Sequence, residues 1–285
     1  MDPIGSATPF EALVLVEHPL PWPSDVSELP LLAGRAAPGV RVMAVVPEDR
    51  ADHDGEVTVV HHRRTGTNRL EGTDHRVAEA ELPALLDDLL AAPMDDHRDR
   101  PSAAGPAPTE VLVCAHGRRD ACCGRWGTLL HLELAALLGG DVRVRRCSHT
   151  GGHRFAPTAI TLPDGRFWAY AEPEQLEQVV HRAGDLAPLA AHDRGTSALG
   201  PWGQVVERAV LHALGWTWLD ETLTAVEEDV DPDGRRATVT LRWPGGSATG
   251  TVVVERMVPV LVCGEPPEAA TKQSPDLALV DLSFG

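Results

Sequence analysis

The order of apolar segments after Thr109 constrains the fold more than any other feature of this chain. Val111-Leu112-Val113 is a short continuous apolar run, as in a buried strand, and it stops at Cys114. A Gly- and Arg-rich loop follows, then a helical pattern over 127–138. Residues 142–145 alternate like a strand. A second Gly-rich loop leads to a strand at 158–162. Pro163-Asp164-Gly165 then turns the chain into a strand at 166–170, a good hairpin signal. A helix over 174–182 closes the unit. The order β-α-β-β-β-α is that of a compact α/β domain, set here at 109–192.

An α/β portion at 1–92 precedes it. Residues 12–16 form an apolar strand, and His18-Pro19-Leu20-Pro21-Trp22-Pro23 is rich in turns. Ser24 is placed to cap a helix over 25–36. Strands follow at 40–46 and 57–60, and a helix over 77–90 carries the apolar stripe Ala80, Leu82, Leu85, Leu86, Leu89 and Leu90. Residues 93–108, rich in Ala, Pro, Asp and Arg, read as a linker. The remainder, 193–285, reads as a small α+β portion. It has a helix over 204–214, strands at 238–242 and 251–255 joined through Gly245-Gly246, and an apolar tail at 258–263. No repeat recurs at a fixed period. Sequence alone does not show whether the two successive α/β segments are related.

The net charge is −17 over 285 residues, which disfavours nucleic acid as a partner. No stretch reaches the roughly 18 apolar residues of a membrane helix. Met1-Asp2-Pro3-Ile4-Gly5 lacks a basic segment leading into an apolar one. The expectation is a cytoplasmic protein with no membrane partner. The five cysteines are an odd number, which in such a chain argues against a disulfide framework and for metal or redox chemistry.

Four of those cysteines, Cys114, Cys122, Cys123 and Cys147, fall with His116, His149 and His153 within 40 residues. Gly151-Gly152 separates two of the imidazoles, and a helix through Gly-Gly costs roughly 2 kcal/mol against Ala. His149 and His153 therefore belong on a tight loop. Thiolate and imidazole donors suit zinc, copper or an iron–sulfur cluster, not magnesium or calcium. The His-x₃-His spacing fits zinc, although zinc usually takes a closer Cys pair. Rieske centres also combine two Cys with two His; Cys114-Ala-His116 has their Cys-x-His, but no matching Cys-x-x-His follows.

Cys114-x-His116-Gly-x-Arg-Asp120, Cys123-Gly, and above all Ser148-His149-x-Gly-Gly-His153-Arg-Phe-Ala-Pro157 make this segment similar to the sucrase/ferredoxin-like family, a branch of thioredoxin-like [2Fe–2S] ferredoxins. Pro163-Asp164-Gly165 extends the resemblance. Glu17-His18-Pro-x-Pro-Trp22 resembles an early Glu-x-Pro-Gly-Pro-Trp element of the family, with Leu20 in place of Gly. The match is good over 111–181 and loose in the C-terminal third. Four-cysteine relatives of the fold have a Cys-x₃-Cys where His149 and His153 stand here.

The resemblance implies a thioredoxin-like domain holding a [2Fe–2S] cluster, with Cys114 and Cys123 on one iron and His149 and His153 on the other. Cys123 is preferred to Cys122 because the family's second Cys directly precedes Gly. Two neutral imidazoles in place of thiolates would raise the potential from roughly −400 mV towards the Rieske range of roughly −150 to +300 mV, and would link electron to proton uptake. The implied function is electron transfer between a reductase and an acceptor that the sequence does not name. The alternatives are a zinc-stabilised interaction protein using the same four residues, and a thiol oxidoreductase using Cys122 or Cys123.

The other candidates read more plainly. His116 is loop structure, Cys147 a buried thiol and Cys263 a small core residue. His61-His62 beside Arg63-Arg64 reads as a solvated turn. The acidic pairs Asp87-Asp88 and Asp95-Asp96, with the run Glu227-Glu228-Asp229, read as solvated faces rather than a glycosidase dyad. Gly200-Pro201-Trp202-Gly203 is a turn whose Trp packs between domains. No nucleotide-binding glycine loop is present. Arg118, Arg119, Arg125, Arg143, Arg145 and Arg146 outnumber Asp120, Glu133 and Asp141 around the cysteines, a local positive excess that would favour a reduced cluster or an acidic partner.

Overall fold

The structure is a computed structural model that describes residues 1–48, 55–261, 263 and 266–285. The first unit contains β1 (Ala12–Glu17), β2 (Val40–Val45), β3 (Glu56–Gly66), β4 (Arg69–Ala78), α1 (Leu82–Ala91) and β5 (Ala103–Pro106). The second contains β6 (Glu110–Cys114), α2 (Thr128–Leu138), β7 (Arg143–Cys147), β8 (Ala159–Leu162), β9 (Arg166–Trp168), α3 (Pro173–Val180) and β10 (Asp193–Thr196). The chain ends with α4 (Pro201–Leu214), β11 (Ala225–Val230), β12 (Arg236–Trp243), β13 (Gly246–Pro259) and β14 (Gln273–Phe284).

The two units share one plan. β1 runs parallel to β2 and antiparallel to β3, and β3 pairs antiparallel with β4. β6 runs parallel to β7 and antiparallel to β8, and β8 pairs antiparallel with β9. They join through β2 and β7, at Val45 and Cys147, into one sheet of order β10-β9-β8-β6-β7-β2-β1-β3-β4-β5. The relation between the two α/β segments that the sequence left open is therefore present in strand order and direction.

Alternation along each strand sorts the side chains into layers. Val14, Val16, Ala44 and Val59 face outward under Leu82, Leu85, Leu86 and Leu89 of α1. Val111 and Val113 face Leu130, Leu134 and Leu138 of α2, which recur at every fourth position. The opposite faces meet each other. Leu13, Leu15, Met43 and Val60 of the first unit share a buried cluster with Leu112, Ile160, Leu162 and Phe167 of the second. The Leu70 N–H donates to the Pro163 carbonyl across that contact, 2.9 Å. The layers thus run helix, half-sheet, half-sheet, helix.

Several expectations change. The helix over 25–36 is only a single 3₁₀ turn at Val26–Glu28, capped by Asp25 rather than Ser24. The strand β4 ends where a helix was expected to begin, so α1 starts at Leu82. Residues 93–108 include the edge strand β5, and β10 belongs to the large sheet rather than to the C-terminal portion. His61 and His62 sit inside β3, each 2% exposed, not in a solvated turn. β14, in a stretch where the sequence suggested no strand, pairs with β13 in a four-stranded antiparallel sheet. Val205, Val206 and Val210 of α4 pack on Ala237, Val239, Leu241 and Val252 of that sheet. Val262, in the apolar tail, lies outside the described residues.

Candidate functional site

The site lies at the carboxyl ends of the parallel pair β6 and β7, where open α/β sheets commonly hold ligands. Cys114 ends β6 beside Cys147, which ends β7, and the two are in register. The Ala115 N–H donates to the Cys147 carbonyl, 3.1 Å, and the Cys114 N–H to the Thr158 carbonyl, 3.0 Å. These bonds fix where both loops leave the sheet. The chain then returns through a wide helical turn at Cys123–Gly127 that runs into α2. Gly127 makes that return possible, because a Cβ there would overlap the Cys114 carbonyl.

Cys114 and Cys123 are thereby brought within hydrogen-bonding reach, 0% and 1% exposed. The Cys123 thiol, the His149 imidazole and the backbone N–H groups of Thr150 and His116 hold Cys114 well below the usual thiol range, against its burial. Cys123 is pushed up by its bond to Cys114 and by burial. Within the pair Cys114 is the hydrogen-bond acceptor and the one favoured to ionise. Burial likewise raises Cys147, a buried thiol with no further role in view.

His149 and His153 face the same point. Their Nδ1 atoms lie 3.6 and 3.7 Å from the two oxygens of Asp120, which is 5% exposed. His149 Nδ1 and Asp120 Oδ2 are buried without a hydrogen bond. The outer nitrogen of His153, Nε2, donates to the Leu261 carbonyl. That bond keeps the proton on Nε2 and leaves the Nδ1 lone pair for a ligand, as second-sphere carbonyls do for metal-bound imidazoles. Cys114, Cys123, His149 and His153 are therefore neighbours, and Asp120 joins them. Among the described residues, no group of three or more His, Cys, Asp or Glu side chains converges on a single ion-sized point.

The loop between the imidazoles is held from beneath by two arginines the sequence reading did not place here. Arg41 Nη2 donates to the His149 carbonyl, 2.7 Å, and Arg194 Nη1 to the Gly151 carbonyl, 2.9 Å. Both guanidinium groups lie over the Phe167 ring. Gly151 and Gly152 have φ of +86° and +70°, and a Cβ on Gly152 would come 2.5 Å from Arg194 Nη2. The two glycines thus meet a turn requirement and a close approach to Arg194. Burial pulls Arg194 down to about 9, which leaves it charged at neutral pH.

Five of the six arginines expected to charge the site are engaged elsewhere or exposed. Arg145 and Arg143 pair with the buried Glu110, and Arg143 also with Asp74, 2.7 Å. Arg118, Arg119 and Arg125 are exposed. One signal for Arg41 was available, a charge inside the apolar strand Val40–Val45; Arg194 had none.

Two thiols change role. Cys122 is bonded to Cys263 in a disulfide, so Cys263 is not a core residue and the odd cysteine count concealed one bridge. The bridge fastens the segment after β13 beside Cys123, with the Leu261 carbonyl on His153. His116 is loop structure: its Nε2 donates to the Pro23 carbonyl, 2.7 Å, and its ring meets the edge of Trp22. The acidic pairs lie on the surface, with Asp87 on Arg35 and Asp88 on Arg100, and Glu227-Glu228-Asp229 is exposed on β11. Trp202 opens α4 and packs on the core. No helix among the described residues is long and apolar enough to cross a membrane.

The profile of the sucrase/ferredoxin-like family matches residues 3–195, both halves of the large sheet and none of α4 or the second sheet. Two curated relatives, each named altered inheritance of mitochondria protein 32, are similar over a short stretch. The one from Meyerozyma guilliermondii is 31% identical over 78 residues and the one from Clavispora lusitaniae 36% over 76, in each case 25% of this chain and 28% of the relative. The chain thus spans under a third of the length of the relatives it matches. No solved structure matches.

Proposed function

Because the chain belongs to the sucrase/ferredoxin-like family, we propose that it is a one-electron carrier whose second unit is thioredoxin-like and holds a [2Fe–2S] cluster on Cys114, Cys123, His149 and His153. The observation that carries this reading is the convergence of two cysteines and two histidines from separate loops, with His149 Nδ1 and Asp120 Oδ2 buried and unbonded among them. The strand order β9-β8-β6-β7, with β6 and β7 parallel and β8 antiparallel to both β6 and β9, supports the thioredoxin-like assignment.

When bound, the cluster supplies storage for a single electron. The chain's own groups do the rest. Backbone N–H groups of Thr150 and His116 meet the Cys114 sulfur and favour its ionised form. The cysteines are sealed from water, while the His149 and His153 side chains keep 24% and 21% of their surface, so the imidazole edge is where an electron and a proton reach the site. The burial of Cys114 and Cys123 and the engagement of Cys122 count against a thiol oxidoreductase, whose nucleophile must be accessible. The redox partners and a cytoplasmic setting belong to the same proposal.

Iron, zinc and acid-labile sulfide assayed on freshly purified protein, with its visible spectrum, test the reading. Two iron and two sulfide per chain and a midpoint that falls with rising pH are expected. Stoichiometric zinc without sulfide, in protein prepared without oxygen, would replace it by a structural zinc site.

A further inference from the structure

Arg41 and Arg194 lie beneath the His149–His153 loop, and among the described residues neither makes an ion pair. Arg194 is 1% exposed. Its guanidinium donates to the Ser6 carbonyl, 2.6 Å, to Ser6 Oγ, 3.0 Å, and to the Gly151 carbonyl, and lies over the Phe155 and Phe167 rings. Arg41 donates to the His149 carbonyl and also lies over the Phe167 ring. Every partner is a neutral oxygen or a ring face.

Other buried arginines here are neutralised. Arg166 pairs with Asp193 and Glu207, and Arg145 with Glu110. An unpaired charge away from water costs far more than a paired one. Arg41, half-buried, adds a second unpaired charge beside Arg194, and the two repel each other. The titratable groups facing them are the thiols Cys114, Cys123 and Cys147 and, beside Arg194, the guanidinium of Arg154. The positive charge is therefore directed at whatever the cysteines bind.

We propose that Arg41 and Arg194 are fixed counter-charges of the redox site, placed to favour the form of the bound group that carries one more electron. The inference rests on the electron-carrier reading above. Reduction brings one electron from an external one-electron donor and, before a proton follows it to an imidazole, lowers the total charge of the site by one, while no bond between heavy atoms of the chain forms or breaks. Two guanidinium groups behind the loop stabilise that added negative charge in a medium where water does not screen it. They are positioning residues, since their contacts are with the loop backbone.

The test is a mediated potentiometric titration of the loaded protein, with iron and sulfide measured on each sample. Arg41→Gln and Arg194→Gln should each weaken reduction about tenfold, a fall of about 59 mV for one electron. Arg41→Lys should recover most of that loss. Ser6→Asp separates charge from architecture: it leaves Arg194 and its bond to Gly151 in place but supplies a carboxylate beside the guanidinium. It too should lower the midpoint about tenfold, without loss of iron or sulfide. A Ser6→Asp protein with full iron and sulfide and an unchanged midpoint would overturn the proposal, even if the Gln variants fail to load. Absence of iron and sulfide from the unaltered protein would instead defeat the electron-carrier reading itself.

Discussion

Adjacent residues at this site have opposite fates. Cys122 is tied to Cys263, while its neighbour Cys123 faces Cys114. Cys122→Ala should therefore keep iron and sulfide near the unaltered level, and Cys123→Ala should lose most of both, as read by metal analysis. Equal losses would reassign the second ligand. The glycines differ in the same way. Gly152→Ala places a methyl group 2.5 Å from Arg194 Nη2 at a positive φ, whereas the nearest atom to a Cβ on Gly151 is 3.6 Å away. Gly152→Ala should cost more than about 1 kcal/mol in chemical unfolding and more than Gly151→Ala. The candidate ligands were legible because cysteine and histidine spacing is local. The arginines were not, since Arg41 and Arg194 come from strands β2 and β10 and reach the loop only through folding.

Strand β3 shows how an element can mislead. His61-His62-Arg63-Arg64 is polar enough to read as a surface turn, yet the strand lies between β1 and β4 with its histidines enclosed. Both ring nitrogens of His62 lack a hydrogen bond. Burial lowers His62 to about 4, with Arg143 and Arg145 acting in the same direction and Glu110 and Asp74 opposing; His75 is also lowered to about 4. The folded protein binds fewer protons than the unfolded chain between these values and 6.5. The stabilisation is thus complete above pH 6.5 and is lost as pH falls towards 4. For His62 alone the loss is about 3 kcal/mol. Urea unfolding at stepwise lower pH should show this decline, and His62→Gln should flatten it. Helices α2, α3 and α4 were legible from their period, whereas β4 and β5 lack a clear apolar alternation and are held by pairing with β3 and with each other.

At the scale of the molecule, two units of like topology share a core and a charged joint. Arg143 on β7 reaches Asp74 on β4 and Glu110 on β6, and Glu110 is fully buried with Arg145. Glu110→Gln leaves the buried Arg145 without its carboxylate, while Arg143 keeps Asp74, and should cost about 3–5 kcal/mol of unfolding free energy. Because Leu13, Met43 and Val60 pack on Leu112, Ile160 and Phe167, both units should still unfold in one transition by calorimetry. Two separated transitions would mean that the units are energetically independent. A linker at 93–108 was a natural reading of Ala- and Pro-rich sequence, but β5 pairs through its backbone, which composition does not report.

The sequence by itself determined the local terms: the β-α-β-β-β-α order from apolar period, the loop between His149 and His153 from its glycines, and, through the family resemblance, Cys114, Cys123, His149 and His153 as candidate ligands. Only tertiary structure decided which charges stand behind that loop, that Cys122 meets Cys263, and that His61 and His62 are enclosed. The physical reason is range. Periodicity, turns and donor type act over a few neighbours, while burial and charge pairing depend on segments that the chain brings together from opposite ends.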